Sequence, residues 1–211
     1  TVAVEMAELS VSSLKNALTL LSGYTDKGME TVRAEEDRVD KYEDALGTYL
    51  VKISSSELTE QDSHELAKLL HIIGDFERIS DHAVNILEAV EELREKNLSL
   101  TDEALNDFSI LSAAVTEILD LSYTSFSKND LSAALSIEPL EEVIDNLKEQ
   151  MRTRHILRMQ QGNCNVEAGF AWSDLLTDIE RTSDHCSNMG KSIIYTKHNR
   201  IHEKDAIKAA E

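Results

Sequence analysis

The sequence contains few of the residues that interrupt or cross-link a chain. Its 211 residues include one proline, seven glycines and two cysteines. So few helix breakers, beside abundant Leu, Ala, Glu and Lys, predict long helices and few turns. Two cysteines without CxxC spacing provide no disulfide framework, so we expect a reducing compartment, the cytosol. Cys186 is interpreted as a small buried thiol rather than a ligand.

Other absences narrow the class of protein. There are 21 basic residues against 40 acidic ones, a net charge of -19. Nucleic acid is therefore not expected as a partner, because phosphate binding needs a basic surface. An acidic balance suits cations, or simply solubility. No apolar run reaches about 18 residues, so no transmembrane helix is predicted. The chain begins at Thr1 rather than Met, which is interpreted as a cut or trimmed end, with a membrane segment upstream left open.

One stretch of the sequence occurs twice. Residues 75–85 read DFERISDHAVN, and residues 178–188, 103 positions later, read DIERTSDHCSN. Seven of the eleven positions are identical, and all seven are polar or charged. A duplicated packing unit would be expected to keep its apolar residues first. The retained polar residues therefore indicate a site.

Hydrophobic periodicity predicts six helices. Their approximate ranges are 3–22, 29–53, 60–96, 101–126, 131–160 and 166–198. We expect a kink or a new helix start at Pro139 and a frayed tail from Asn199. The third helix has two apolar stripes, which indicates two helical neighbours, as in a bundle. We therefore predict an all-α chain of two tandem three-helix bundles, residues 1–97 and 98–211, with six long antiparallel helices.

Four of these helices carry the pattern Glu-x-x-x-Asp. The pairs are Glu36/Asp40, Glu77/Asp81, Glu141/Asp145 and Glu180/Asp184. A four-residue step places both carboxylates on one helix face, about 6 Å apart along the axis. For any single pair, a solvated surface is the simpler explanation. If the second and third helices of each unit are neighbours, however, their pairs offer four carboxylates, which suit Mg, Mn, Ca or oxidised Fe rather than zinc. One cluster per unit predicts two sites.

The other polar residues of the repeat are expected to support these carboxylates, each together with its counterpart 103 positions later. Arg78 is expected to pair with Asp81 or to contact a partner. His82 is open to a role as a ligand, but it is interpreted as a hydrogen-bonding residue behind the ligands. Asn85 is expected to hold the Asp81 carboxylate, and Asp75 to face an interface or solvent. The histidines without a counterpart are interpreted as incidental: His64, His71, His155, His198 and His202.

Two other functions are open to such a chain. Its carboxylates could bind basic partner surfaces without metal, as an acidic helical interaction module. A carboxylate-bridged metal enzyme of the ferritin type would need Glu-x-x-His, but Ser80 and Ser183 stand three residues after Glu77 and Glu180. No glycine-rich phosphate loop or nucleophile elbow is present, so catalysis is not expected.

The duplicated DFERISDH and DIERTSDH, with Glu-x-x-x-Asp on the preceding helices, resemble the PhoU family over nearly the whole chain. The stretches at 46–54, 69–86, 138–145, 153–164 and 173–185 look closer still to the cytosolic PhoU-like domain of bacterial sodium/phosphate cotransporters. The resemblance implies two three-helix bundles that regulate phosphate uptake and phosphate-responsive signalling.

The resemblance also implies multinuclear metal clusters, with Fe, Mn or Mg as the expected ions. Carried over by position, one site would comprise Glu36, Asp40, Glu77 and Asp81, and the other Glu141, Asp145, Glu180 and Asp184. The adjacent Glu35 and Asp37 leave the choice of ligand open in the first motif. The implied partners are a membrane phosphate transporter or the chain's own membrane domain, a second copy of the chain, and phosphate. A cytosolic domain tethered to the inner face of the membrane is the expected setting.

Overall fold

The computed structural model describes the backbone of residues 1–210 and the side chains of residues 1–198. Within these limits the chain forms six α-helices and no strand. The helices are α1 (Val2–Leu20), α2 (Asp26–Ser54), α3 (Glu60–Glu95), α4 (Asp102–Ser127), α5 (Leu131–Gln160) and α6 (Val166–Ala210). The prediction of an all-α fold is confirmed. The α6 helix extends beyond the expected end near 198, and the tail expected to fray from Asn199, including His202, lies outside the described side chains.

The helix ends follow local sequence signals. Thr59 Oγ1 accepts a hydrogen bond from Asp62 N at 3.1 Å, and Thr101 Oγ1 accepts one from Ala104 N at 3.2 Å. These caps satisfy amide groups that have no partner inside their helices. Of the two alternatives expected at Pro139, a kink or a new helix start, the new start is not found, because α5 runs without a break through that residue.

The main apolar stripe predicted on α3 faces the core. Its members are Leu69, Ile72, Phe76, Ile79, Ala83, Ile86, Val90 and Leu93. All of its members from Ile72 to Leu93 are buried, and Leu69 is partly buried against the same core. The corresponding stripe of α6 is also buried, and its members are Trp172, Leu175, Ile179, Cys186, Met189 and Ile193. Cys186 is fully buried as predicted, and burial raises the pKa of its thiol to about 12. Helical spacing also predicts Tyr49 on the core side of α2, and this prediction is wrong, because Tyr49 is 62% exposed.

The helices are arranged as two units of three. Helices α1, α2 and α3 contact one another, as do α4, α5 and α6. The two units meet mainly where α3 packs along α6, with a smaller contact between α1 and α4. In this arrangement α2 packs against α3 and α5 packs against α6, so the helices that carry the acidic pairs are neighbours. No helix in the described part of the chain combines the length and hydropathy needed to cross a membrane.

Candidate metal centre

The first acidic cluster joins α2 and α3. Glu36, Asp40 and Asp81 each place one carboxylate oxygen so that all three oxygens lie within 4.8 Å of one another. Glu36 and Asp81 are partly buried, whereas Asp40 is exposed. Three carboxylate oxygens at this separation are a donor set that fits a hard divalent or trivalent cation. Three of the four residues predicted for the first site are therefore together.

Glu77, the fourth predicted residue, lies beside this group. Burial raises the pKa of Glu77 from 4.5 to about 7, and the neighbouring Asp81 carboxylate adds to the shift. Asp40 and Glu43 act in the same direction, while Arg78, whose Nε lies 3.4 Å from Glu77 Oε2, opposes them. The α2–α3 face is thus a region of crowded negative charge in which a cation would be stabilised.

The carboxylates of the first motif point in different directions. Glu35 accepts hydrogen bonds from Ser12 Oγ at 2.8 Å and from Asn16 Nδ2 at 3.0 Å, so it faces α1. Glu36 faces α3, and burial, with the charge of Asp40, raises its pKa. Glu36, not Glu35, is therefore the carboxylate of this segment that lies with Asp40 and Asp81.

The second acidic cluster, between α5 and α6, is less complete. Burial raises the pKa of Glu141 and that of Asp184, and the Asp145 carboxylate adds to both shifts. Glu180, however, forms a short ion pair with the Lys148 ammonium. Burial opposes the charge on Lys148, but the Glu180 and Glu149 carboxylates together outweigh it and raise the pKa of the ammonium. Among the described side chains, no group of three ligand atoms in this unit is as close as in the first.

The residues around the carboxylates only partly follow expectation. Arg78 Nη1 lies 3.2 Å from Asp81 Oδ2, which confirms the predicted pair. Its counterpart Arg181 is exposed and makes no ion pair with Asp184 in the described part of the chain. Asn188 is also exposed and, within the same limits, does not hold that carboxylate.

The histidines of the repeat connect the two units. His82 Nδ1 donates to Asp178 Oδ1 at 2.9 Å, and His185 Nδ1 donates to Asp75 Oδ1 at 2.9 Å. The two imidazole rings are 5.5 Å apart between centroids. Asn85 Nδ2 also donates to Asp178, at 3.0 Å, so the expectation that it holds the carboxylate one turn before it is wrong. Both aspartates therefore lie at an interface, which was one of the two alternatives for them.

Sequence reasoning missed the environment of His155. This residue was interpreted as incidental, yet it is only 5% exposed and lies beside Trp172, with ring centroids 6.3 Å apart. Burial and the nearby Arg158 lower its pKa. A signal existed, since the shift that aligns the acidic pairs of α2 and α5 places His155 at the position of the buried Leu50.

Fold and site together define an all-helical protein of two three-helix units, in which carboxylates from neighbouring helices face each other. The PhoU domain family matches residues 3–90 and 108–193. These ranges cover most of the chain, which therefore belongs to the PhoU domain family.

Two named relatives and two solved structures are similar to it. A phosphate-specific transport system accessory protein PhoU homolog 1 from Thermotoga maritima is 22% identical over 90% of this chain and 82% of its own length. A PhoU homolog of the same description from Streptococcus pneumoniae is 21% identical over 90% of this chain and 87% of its own. The crystal structure of PhoU from Pseudomonas aeruginosa has a TM-score of 0.87 at 18% identity and covers 94% of each chain. That of the phosphate transport system regulatory protein PhoU from S. pneumoniae has a TM-score of 0.81 at 19% identity, covering 93% of this chain and 91% of its own.

Proposed function

We propose that this chain is a regulatory component of a phosphate transport system and acts without catalysing a reaction. The support comes from family membership and from the names of the relatives, which are accessory proteins of phosphate-specific transport systems. This chain matches most of the length of each relative. Stretches that resemble the PhoU-like domain of sodium/phosphate cotransporters make a membrane phosphate transporter, or a membrane domain of the same polypeptide, the proposed partner. The proposed setting is the cytoplasmic face of that membrane.

The regulatory state is proposed to depend on a bound hard cation. The observation that carries this proposal is the convergence of Glu36, Asp40 and Asp81 from two different helices. Glu77 is proposed as a fourth donor, because its crowded position makes it gain most from a nearby positive charge. The proposed second site is formed by Glu141, Asp145, Glu180 and Asp184. Iron, manganese and magnesium all accept such oxygen donors.

A cation shared by α2 and α3 would fix the relative position of these helices. Their outer faces are then presented to the partner in one arrangement, and phosphate is attracted as an anion to the bound metal. Because metal binds the folded form, it also stabilises that form.

This stabilisation provides the test. At a free Mn²⁺ concentration 100 times the dissociation constant, one site adds about 2.7 kcal/mol to the free energy of unfolding. For a chain of this size we expect the Tm to rise by about 5–10 °C. The gain should be lost when Asp81→Ala and Asp184→Ala are combined, and kept in the matched control Asp174→Ala, whose carboxylate is exposed on α6 away from both motifs. An unchanged Tm in the wild type would contradict the proposal.

The metal-free interaction module is the second candidate. It is favoured by the ion pair between Lys148 and Glu180, in which a carboxylate of the motif is already satisfied by an ammonium group. This candidate predicts binding to a basic partner surface that weakens steeply with salt and does not respond to chelators. Partner binding measured in EDTA at 50 and 500 mM salt separates the two functions.

A further inference from the structure

The two acidic clusters differ at one position that the sequence repeat makes equivalent. A shift of 105 residues superimposes the acidic pair of α2 on that of α5. The same shift places Glu43 opposite Lys148. The first cluster therefore has an additional acid where the second has a base.

Lys148 is held inside the second cluster. Its side chain is only 13% exposed, its Nζ pairs with Glu180 Oε1, and Glu149 Oε1 lies 3.5 Å away. A lysine is rarely buried to this extent unless it is paired. Its ammonium group occupies one oxygen donor and neutralises one negative charge. Within the second cluster, the Lys148 ammonium group therefore takes the place that a bound cation would have.

Among the described side chains, the first cluster has no buried cation of this kind. Glu43 adds to the repulsion acting on Glu77, whereas Lys148 acts on Asp184 in the opposite sense. Arg78 pairs with Glu77 and Asp81, and Arg33 acts on Glu36. These two arginines are 61% and 44% exposed, however, so water screens their charges. The close group of three oxygens occurs in the first cluster, where the counter-charge is weaker.

We propose that Lys148 makes the two sites unequal, so that the first cluster binds a divalent cation strongly and the second binds one weakly. This inference rests on the proposed function, since it concerns the same two sites. Lys148 and Glu180 both border a cavity of about 550 Å³ between α5 and α6. The cavity gives the lysine side chain room to leave Glu180 when the cation concentration is high. The chain thus loads in two steps.

The test is a titration of the full chain with Mn²⁺, in which the free ion is measured by its electron paramagnetic resonance signal. For the wild type we expect one strong site and a second at least about tenfold weaker, a ratio equivalent to about 1.4 kcal/mol. Lys148→Gln should bring the second dissociation constant to within about threefold of the first. Lys148→Glu, which reproduces the residue at position 43, should strengthen it further.

Two matched variants show whether position or net charge is responsible. Lys191 also lies in the second unit and pairs with Glu138 at 3.0 Å, but it is 60% exposed. Lys191→Gln removes the same charge as Lys148→Gln, but from an exposed group whose action on Glu141 is screened by water, so it should strengthen the second site much less. Glu43→Lys should weaken the first site at least about tenfold. Adding Asp184→Asn to Lys148→Gln should remove the site that the lysine substitution strengthened.

The outcomes separate this inference from the proposed function. Two equal sites in the wild type, or an equal effect of Lys191→Gln, would overturn the inference and leave metal binding intact. If neither the wild type nor Lys148→Gln binds Mn²⁺, both are overturned. Circular dichroism of each variant verifies that the helices are retained, and Glu43→Lys tests the inference independently should the α5 variants fail to fold.

Discussion

At the scale of single residues, the crowded carboxylates of the first acidic cluster lower the stability of the folded chain. Glu77 shows this most clearly, because its pKa lies well above the ordinary value for a glutamate. A carboxyl group with a raised pKa binds a proton more readily in the folded chain than in the unfolded chain. Its ionisation therefore lowers stability as the pH rises from about 4.5 to about 7.

Removing the charge of Glu77 should reverse this effect. In EDTA at pH 8 we expect Glu77→Gln to raise the free energy of unfolding by about 1–2 kcal/mol, less than the ceiling set by about 1.4 kcal/mol per pKa unit, because water screens a side chain 23% exposed. At pH 4, where the carboxyl is protonated, the difference should vanish. Urea unfolding at both pH values measures it. The exposed Glu142→Gln is the control, and an equal gain there would show that net charge, not Glu77, is responsible.

The sequence predicts the chemistry of the residues better than their contacts. Spacing predicts that Glu36, Asp40 and Asp81 lie together, because a four-residue step places carboxylates on one face of each of two neighbouring helices. The structure has these three carboxylates together. The sequence could not show that Lys148 pairs with Glu180, because nothing in it gives the distance between a lysine on one helix and a glutamate on another. Helical spacing gives the direction of a side chain, and its partner depends on how the helices pack.

At the scale of the helices, the close packing of α5 against α6 depends on a small residue. Gly169 is buried on α6, and a Cβ atom there would lie 2.9 Å from His155 Nε2 and 3.0 Å from Met159 Sδ. The glycine therefore leaves room on α6 for the His155 and Met159 side chains of α5. Helix periodicity predicted α5 and α6 well, but it contains no information on how near two helices come to one another.

Substituting alanine for Gly169 should disturb the packing of the His155 and Met159 side chains against α6. We expect Gly169→Ala to lower the free energy of unfolding by about 1–3 kcal/mol, because the His155 and Met159 side chains must shift to admit the methyl group. Gly74→Ala is the matched control within a helix, since nothing lies within 4 Å of its Cβ, and it should stabilise the protein by about 0.5–1 kcal/mol. Urea unfolding compares the two. Equal stabilisation by both would mean that α5 and α6 adjust at no cost.

At the scale of the whole molecule, the repeated polar residues have a second use. Asp75, His82, Asp178 and His185 connect α3 of one unit to α6 of the other through two equivalent hydrogen bonds. A shift of 103 positions shows which residues correspond, but not that each aspartate bonds to the histidine of the opposite unit. That crossing requires the two units to face each other, which a sequence repeat does not state. The polar identity of the repeat thus reflects the joint between units as well as the acidic faces.

The two halves of this joint are not equally strong, and substitution of the aspartates should show it. Asp178 receives hydrogen bonds from both His82 and Asn85, and its side chain is 12% exposed. Its counterpart Asp75 is bonded to His185, whose side chain is 21% exposed. Asp178→Ala leaves the buried His82 donor unpaired, whereas the exposed Asn85 can turn to water, so we expect it to cost about 2 kcal/mol.

Asp75→Ala should cost under about 1 kcal/mol, because water can replace the lost acceptor beside the more exposed ring. Urea unfolding in EDTA measures both losses without a contribution from metal. Combining Asp178→Ala with His82→Ala should recover at least about 1 kcal/mol relative to the sum of the single substitutions, since the histidine then has no partner to lose. Equal losses at the two aspartates, or strict additivity at Asp178 and His82, would mean that packing between α3 and α6 alone holds the units together.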